Sequence, residues 1–530
     1  MFRLLKKNMC QKKRGVGRLA QFICSYKQIK GFNMFKKPFY TKIKDTRTGA
    51  FSLFSLTIRH GKMKKKSLAA MAVHIVFVSS LCSQAKPLAL HPTNPHYFIY
   101  HDKPTILITS GEHYGAVLNT GFDFITYLDQ LASDGLNLTR TFSGCYHEPG
   151  NAFNISNNTL APPSEKFICP WSRSGEPGFK SGGNKFDLEK WDENYFNRLK
   201  SFVSAAQQRG IIVEFTFFCP FYEDSQWLLS PMNVINNING VGNIARTDVY
   251  ALDKNGGLLA FQEKMVQKTV NELKAFDNII YEICNEPYFG GVTLEWQQHI
   301  AGIINKAENN FFATHLISQN IANGHSKIEK PFNEVSVFNF HYAMPPVAVA
   351  MNYGLNKVIG DNETGFRGNS DSAYRMEAWR LILAGGGLYN NLDYSFAAGY
   401  EKGNYIYPPT QPGGGSKALR KQLSYLKRFI ENFDFINMRP DSTTVTGGLP
   451  SNAISQVLSE PGKQYAIYLY RGNKVNLELL LPAGNYEYEW LNTLTGKYSD
   501  KSLLKNVNSK VTLTSPVYTE DIALRLIRKP

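Results

Sequence analysis

Residues 278–287 read NIIYEICNEP, a short apolar run followed at once by an Asn-Glu pair and a proline. The run is rich in isoleucine, as expected for a strand of a parallel sheet that is buried on both faces. Pro287 has no backbone N–H to donate, so it ends the strand pairing. We therefore predict a strand over 278–284 that presents Glu286 at its carboxyl end.

Strand and helix patterns alternate on both sides of this stretch. The predicted helices span 123–134, 191–208, 258–276, 294–311, 372–384 and 417–433. The predicted strands span 105–109, 136–142, 211–218, 278–284, 315–318, 335–340, 357–360 and 387–394. Eight strands separated by helices predict an α/β fold, a parallel sheet closed as a (β/α)8 TIM barrel.

An open doubly wound sheet is the alternative, because it alternates strands and helices in the same way. Such a sheet usually carries a glycine-rich phosphate loop after its first strand, and Gly111-Glu112-His113 does not supply one. In a barrel, the long segments 143–186 and 219–257 follow the second and third strands on the carboxyl face, where active sites are built. The barrel is the interpretation we carry forward.

The pattern changes after Pro440 to short alternating strands separated by Gly, Pro and Asn turns. They span 465–470, 475–481, 486–490, 511–514 and 522–527. This spacing is typical of an antiparallel β-sandwich. We predict a barrel domain over 86–440, followed by a small C-terminal β-sandwich over 441–530.

Positive charge is concentrated in the first part of the chain. Residues 1–66 contain 19 of the 59 lysines and arginines and one of the 43 acidic residues, which leaves 40 basic against 42 acidic residues elsewhere. The net charge of +16 therefore belongs to the leader, and the rest is nearly neutral. A nucleic acid is not an expected partner of so neutral a domain.

Residues 63–85 have the order of a secretory signal peptide. Met63 is followed by three lysines, then by the uncharged and mostly apolar run 67–81, then by Ser83-Gln84-Ala85 with small residues at a cleavage position. The run is too short for a typical membrane helix, so no stable span is expected in the mature chain. We interpret 1–62 as a non-structural upstream extension and predict a secreted, periplasmic or cell-surface protein.

Four of the seven cysteines follow the predicted signal peptide: Cys145, Cys169, Cys219 and Cys284. Two disulfides are possible in an exported chain, but the sequence does not fix their pairing. The four cysteines form no C-x-x-C spacing, and no H-x-x-x-H spacing accompanies them, so neither a metal site nor a cofactor is predicted. The oligomeric state stays open.

A second glutamate ends another predicted strand, in the stretch 358–365 that reads VIGDNETG. Glu363 lies 77 residues after Glu286, which corresponds to three βα units. A barrel mouth can bring two such carboxyls face to face, as glycoside hydrolysis requires. Asp361 and Glu282 are the rivals of Glu363 for the second carboxyl.

Asn285-Glu286-Pro287 after the fourth strand, with a glutamate ending the seventh, resembles clan A of the glycoside hydrolases, which includes the cellulase-like family five. The resemblance covers about residues 91–440. It implies that Glu286 is the acid/base and Glu363 the nucleophile of a retaining enzyme. It also implies that Asn285 bonds the sugar 2-hydroxyl.

Two further positions match that clan. The resemblance implies that Arg140, ending the second strand, keeps the nucleophile ionised, and that His341-Tyr342, ending the sixth, lie near it. In addition, 490–496 (WLNTLTG) resembles the small sandwich called a collagen-binding-like domain, which often follows such barrels. His113 is a candidate subsite residue, and the aromatic candidates for stacking on sugar faces are Trp227 and Tyr394, with Trp171 and Tyr222.

The sequence therefore predicts a glycosidase, a retaining glycoside hydrolase that cleaves β-linked O-glycosidic bonds in an oligo- or polysaccharide with two glutamates. One alternative is a non-catalytic extracellular carbohydrate-binding or adhesion protein on the same scaffold. Another alternative is a barrel lyase or isomerase, which would require a metal cluster or a phosphate site. The sugar, the linkage and exo or endo action stay open.

Overall fold

The computed structural model describes residues 86–309 and 311–530, together with 43–44 and 51–52. In the first unit, Met1–Gln84, strands Ile43–Lys44 and Phe51–Ser52 pair in antiparallel fashion. The predicted signal peptide and most of the upstream extension lie outside the described residues. Among the residues that are described, no helix combines the length and the apolar character that a membrane crossing requires.

The second unit, Ala85–Pro530, contains the predicted barrel. Its eight strands are β1 (Leu107–Gly111), β2 (Leu138–Phe142), β3 (Ile212–Phe218), β4 (Ile279–Cys284), β5 (Leu316–Asn323), β6 (Val335–His341), β7 (Val358–Thr364) and β8 (Leu388–Leu392). They are parallel and hydrogen-bonded in the order β1-β8-β7-β6-β5-β4-β3-β2. This confirms the TIM barrel and excludes the open sheet, because β8 pairs back to β1.

Asn137 closes the remaining seam between β1 and β2. Its side-chain Oδ1 accepts from the Ile108 N–H at 3.0 Å, and its Nδ2 donates to the Ile106 carbonyl at 2.8 Å. A side-chain amide offers one acceptor and two donors, so it can replace a backbone partner at this position. The Asn137 side chain thus makes the hydrogen bonds that a neighbouring strand would make, and it closes the barrel.

Helices cover the outside of the barrel. The long ones are α1 (Phe124–Ser133), α2 (Glu193–Gln208), α3 (Leu259–Leu273), α4 (Leu294–Glu308), α5 (Asp371–Leu383) and α6 (Lys417–Glu431). Short helical turns occupy Ala152–Asn154, Ser164–Lys166, Asp224–Trp227, Arg246–Asp248, Val347–Asn352, Tyr353–Leu355 and Phe435–Asn437. Asp123, Thr293 and Ser416 cap their helices by accepting backbone N–H groups, which local sequence dictates.

Strands β5 and β7 run further than their sequence pattern predicted, and polar residues fill the extra length. Asn320 and Asn362 are almost completely buried inside the barrel, where their amides hydrogen-bond to buried carboxylates. Polar residues read as the end of a strand when only solvent is expected as their partner. Here their partners are buried carboxylate side chains on other strands of the barrel.

The amino-terminal mouth of the barrel is filled with apolar side chains. A small sheet of Ala89–Leu90, Phe98–Tyr100 and Lys103–Thr105 packs Phe98 and Leu88 against the first residues of the barrel strands. At the other end, the loop after β2 contains the antiparallel hairpin Trp171–Pro177 and Asn184–Trp191. The closed bottom leaves only the carboxyl end of the barrel open.

The C-terminal strands form two antiparallel sheets, as predicted. They are β9 (Arg439–Pro440), β10 (Val445–Gly447), β11 (Ile454–Glu460), β12 (Gln464–Tyr470), β13 (Asn476–Leu480), β14 (Gly484–Asn492), β15 (Ser502–Val507), β16 (Lys510–Thr514) and β17 (Asp521–Lys529). One sheet has the order β9-β11-β12-β17-β14-β15 and the other β10-β13-β16. Ile467, Leu477 and Leu524 share one apolar core between them.

A buried ion pair joins this sandwich to helix α5 of the barrel. The Arg375 guanidinium donates to both carboxylate oxygens of Asp521, at 2.8 and 3.0 Å, and Tyr468 donates to the same carboxylate at 2.8 Å. Trp379 stacks on Tyr468 beside it. The four cysteines, for which two disulfides were possible, are buried and free, so the described residues contain no disulfide that holds the parts together.

We expect Arg375→Ala to lower the free energy of unfolding by about 3–5 kcal/mol, because it leaves the Asp521 carboxylate buried without its cation. Urea unfolding measured by circular dichroism tests this. The matched control is Lys427→Ala, which removes a surface pair with Glu431 and is expected to cost under about 1 kcal/mol. Equal losses in the two variants would contradict the role given to Arg375.

Candidate active site

The strand ends of the barrel surround a cavity of about 430 Å³. Asn285, Glu286 and Glu363 line it, together with His113 and Tyr342. The two glutamates are each more than nine-tenths buried but reach the cavity wall. Five of the nine residues that the sequence singled out for the site therefore line the cavity, and two more, Arg140 and His341, contact these residues directly.

Glu286 and Glu363 face each other across His341. One carboxylate oxygen of each glutamate and one ring nitrogen of His341 lie within 4.8 Å of one another. His341 Nδ1 is 3.1 Å from Glu286 Oε1 and 3.6 Å from Glu363 Oε1. Because ionised carboxylates only accept hydrogen bonds, Nδ1 carries the proton that is shared with them.

This trio is also the set of described side chains that is spaced like metal ligands. A metal needs a lone pair on the nitrogen that binds it. Nδ1 of His341 faces both carboxylates, where a donated proton satisfies them. The arrangement therefore fits a proton-sharing cluster better than a metal centre.

Three donors hold the Glu363 carboxylate. Arg140 Nη1 and the Tyr114 hydroxyl donate to Oε2, at 3.2 and 3.0 Å. The Tyr342 hydroxyl donates to Oε1 at 2.7 Å. These three donors satisfy both carboxylate oxygens and fix the orientation of the Glu363 side chain.

Arg140 is completely buried and is itself fixed by Glu282. Its Nε lies 2.8 Å and its Nη2 2.7 Å from Glu282 Oε2, and Nη2 also donates to Asn285 Oδ1 at 2.7 Å. Glu282 does not line the cavity. It lies behind Arg140 as the counter-ion of the guanidinium.

Asp361, the other rival of Glu363, also misses the cavity. Its side chain accepts from the Ala343 N–H at 2.8 Å. Burial, and then the charge of Glu377, raise the pKa of Asp361 well above its usual range. Glu286 and Glu363 thus line the cavity, together with Glu148, whereas Glu282 and Asp361 do not.

His341 and Glu286 shift each other's pKa. Burial disfavours the charged imidazole, but the charge of Glu363 and the hydrogen bond to Glu286 outweigh it and raise the pKa of His341 above its usual value. Burial also disfavours the charged form of Glu286, but the hydrogen bond and charge of His341 lower its pKa overall. In the empty site the shared proton therefore resides on His341, next to Glu286.

Tyrosines complete the surroundings of Glu286. Tyr222 donates to Oε2 at 2.5 Å and Tyr288 to Oε1 at 3.3 Å. Glu286 itself has φ of 36°, and Tyr342 at the end of β6 has φ of 54°. Left-handed backbone is strained for these residue types. The strain lies at the two strand ends that aim side chains into the cavity.

A polar chain forms the inner wall of the cavity on the side of β1 and β2. His113 Nδ1 lies 3.0 Å from Asn158 Oδ1, Asn158 donates to Glu148 at 2.5 Å, and Tyr146 donates to Glu148 at 2.9 Å. His113 was predicted, whereas Glu148 was not. The signal available was its place in a polar Tyr-His-Glu run shortly after β2.

Of the aromatic candidates for stacking, the structure places only Tyr222 on the cavity wall. Trp227 packs on Phe221 and donates its indole N–H to the Ile244 carbonyl at 3.0 Å. Tyr394 lies edge-on to His113, and Trp171 is completely buried. Trp227 and Tyr394 are therefore packing residues of the loops rather than part of the cavity wall.

The comparisons with known proteins agree with the barrel fold and with a glycoside hydrolase. Residues 171–342 match the family model Cellulase (glycosyl hydrolase family 5). The matched range includes Asn285, Glu286, His341 and Tyr342. No curated protein sequence matches the chain.

Solved structures resemble the fold. A glycoside hydrolase family 5 structure from Bacteroides vulgatus ATCC 8482 superposes with a TM-score of 0.58 at 13% identity, covering 83% of this chain and 94% of that one. A second protein of B. vulgatus, described as a candidate glycoside hydrolase, gives 0.57 at 13% identity, with coverage of 91% and 86%. The chain is a glycosidase whose barrel resembles the clan A glycoside hydrolases of the cellulase-like family 5 type.

Proposed function

We propose that this protein is a retaining glycosidase that cleaves β-linked O-glycosidic bonds by double displacement, with Glu363 as nucleophile and Glu286 as acid/base. The approach of their carboxylate oxygens to within 4.8 Å carries the proposal. Carboxyls of retaining enzymes lie about 5–5.5 Å apart, whereas inverting enzymes leave about 6.5–9.5 Å for a water molecule. The short approach of the cavity pair supports the first class.

In the first step, a Glu363 oxygen bonds to the anomeric carbon as the bond from that carbon to the leaving oxygen breaks. Arg140, Tyr114 and Tyr342 hold the attacking carboxylate in place, which reduces the entropy that the reaction must lose. Glu286 transfers a proton to the leaving oxygen. In the second step water attacks the same carbon, Glu286 accepts its proton, and Glu363 is released.

His341 supplies the proton for this cycle. Its Nδ1 is within hydrogen-bond distance of Glu286 Oε1, so Glu286 can take the proton as it gives one to the leaving oxygen. Once Glu363 is esterified, its negative charge is lost, and with it a main support of the raised His341 pKa. The neutral imidazole then allows Glu286 to act as a base.

The loops after β2 and β8 close one side of the mouth. Asn154 donates to the Thr410 carbonyl at 2.9 Å, and Ser156 donates to Gln411 at 2.8 Å. Phe153 meets Phe366 beside this tie, with ring centroids 6.3 Å apart. This tie on one side of the mouth supports a cavity that takes a chain end rather than the middle of a polymer. We therefore propose exo action, on the terminal sugar of an oligo- or polysaccharide or other glycoside.

Export is part of the same proposal, and its support is the signal-like segment 63–85. The barrel over 86–440 and the sandwich over 441–530 are proposed as the domains of the exported chain. Carbohydrate is the proposed partner.

We expect Glu286→Gln to lower kcat/KM for aryl β-glycosides by about 100- to 10,000-fold, the usual contribution of general acid–base catalysis. Glu363→Gln is expected to lose at least as much because no covalent intermediate can form. Azide should rescue Glu286→Ala with retained anomeric configuration and Glu363→Ala with inverted configuration, read by NMR of the glycosyl azide.

Glu295→Gln on the surface of α4 is the control and should keep wild-type activity. Full activity in either cavity variant would contradict the assignment. A wild-type chain that binds glycosides without hydrolysing them would favour the non-catalytic alternative.

The pH profile of kcat/KM should depend on His341. In the wild type, the shared proton is lost only above the usual imidazole value of 6.5, because the pKa of His341 is raised. In His341→Asn the proton can reside only on Glu286, a carboxyl, so the basic limb should move to lower pH. Rates measured from pH 4 to 9, at about 0.5-unit steps across these titrations, test this. A basic limb that stays at the same pH or moves to higher pH would contradict the role of His341 as the source of the proton.

A further inference from the structure

Five aromatic side chains surround the outer part of the cavity, and we call them the aromatic collar: Phe153, Tyr222, Phe289, Tyr342 and Phe366. They come from the loops after β2, β3, β4, β6 and β7. Neighbouring ring centroids are 5.7 Å apart for Phe289 and Tyr222, and 5.5 Å apart for Tyr222 and Phe153. Phe366 continues the series to Tyr342 at 6.1 Å.

The three phenylalanines of the collar are exposed to solvent. Phe153, Phe289 and Phe366 are 41%, 42% and 42% exposed. Adjacent exposed apolar rings at a cavity mouth indicate a binding surface, because a ligand that covers them removes apolar surface from water. Single exposed apolar residues are ordinary, but these three lie around one opening.

The carboxylates and His113 of the cavity are buried beside apolar residues such as Phe142 and Leu160, whereas most of its exposed lining residues are phenylalanines. His113, Glu148 and Asn285 line the inner part, where a sugar can hydrogen-bond. At the outer part, the Arg367 side chain also reaches the wall, but its guanidinium is paired with Glu377. The cavity therefore offers a polar place for one group and an apolar place for another.

The position of Glu286 indicates which part of the substrate, the sugar or the leaving group, lies in the collar. The proton donor must contact the leaving oxygen, and Tyr222 of the collar donates to the Glu286 carboxylate. Phe289 follows Glu286 by three residues and packs against Tyr222. Because the barrel is closed at its bottom, the leaving group departs through the collar.

We propose that the collar binds an apolar aglycone, so that the substrate is a glycoside of an alkyl or aryl alcohol. This rests on the proposed function and specifies its leaving group. A sugar in the same place could stack its C–H face on these rings, but its hydroxyls would find on the three phenylalanines no hydrogen bonds to replace those lost to water. Methylene or aryl groups would bury apolar surface there and gain affinity.

The test is a series of n-alkyl β-glycosides from methyl to octyl, made with the glycone that the wild-type enzyme cleaves fastest. All members release simple alkanols, so the chemical step is nearly constant along the series. We expect kcat/KM to rise about three- to fourfold for each of the first few methylenes. The hexyl glycoside should exceed the disaccharide of the same glycone by at least about tenfold.

Two collar variants and one matched control locate the effect. Phe289→Ala and Phe366→Ala should each flatten the dependence on chain length. Phe312→Ala removes an equally exposed phenylalanine, 49% accessible, just before β5 at the amino-terminal end of the barrel, and should keep the wild-type slope. Benzyl glycosides, compared with hexyl, separate aryl from alkyl aglycones.

Binding of n-alkyl 1-thio-β-glycosides, which resist hydrolysis, measures the same preference by calorimetry without turnover. Affinity that rises with chain length supports the collar even if no O-glycoside is cleaved, and that second result would overturn only the proposed function. A flat series in both assays, or a disaccharide that is cleaved better than the hexyl glycoside, would overturn the inference.

Discussion

The buried guanidinium of Arg140 is the interaction on which the active site depends. A charge taken fully out of water is tolerated only when it is paired and hydrogen-bonded. Arg140 meets this requirement through Glu282 behind it, Glu363 in front of it and Asn285 beside it. The same bonds fix three strand ends, β2, β4 and β7, relative to one another. The positions of Glu363 and of Asn285, the residue before Glu286, therefore follow from one demand for charge compensation.

Beneath Arg140, the barrel interior is a second layer of buried polar groups rather than a purely apolar core. Glu214 accepts from Ser318 and Asn339 at 2.8 Å, and burial together with the charge of Glu282 raises its pKa to about 7. Asn362 donates to both carboxylates. A buried polar network is stable when its members are satisfied, and this one transmits the placement of Arg140 across the barrel. It also explains why β5 and β7 continue through polar residues.

The cavity above this network combines two environments that suit the two halves of a glycoside. Around the carboxylates, tyrosine hydroxyls, Arg140 and His341 provide charge stabilisation and a mobile proton. Toward solvent, the aromatic collar offers rings and little hydrogen bonding. The tie between the β2 and β8 loops is the observation that supports the proposed exo action. Specificity is thus set by loops, while the chemistry is set by strand ends, as barrels generally arrange it.

The sequence by itself determined the barrel, the sandwich and the two facing glutamates, because periodicity and strand-end motifs are local and the barrel spaces its strands regularly. Arg140, Asn285, His341 and Tyr342, which lie at the ends of the same kind of strand, were implied by the resemblance to clan A. The secretory segment stays a prediction. Only the tertiary structure decided that Glu282 and Asp361 face away from the cavity, that Trp227 is packing, that the cysteines are unpaired and that Phe153 meets Phe366 across 213 residues. Contacts between loops depend on where the whole barrel places their ends, and no local pattern encodes that distance.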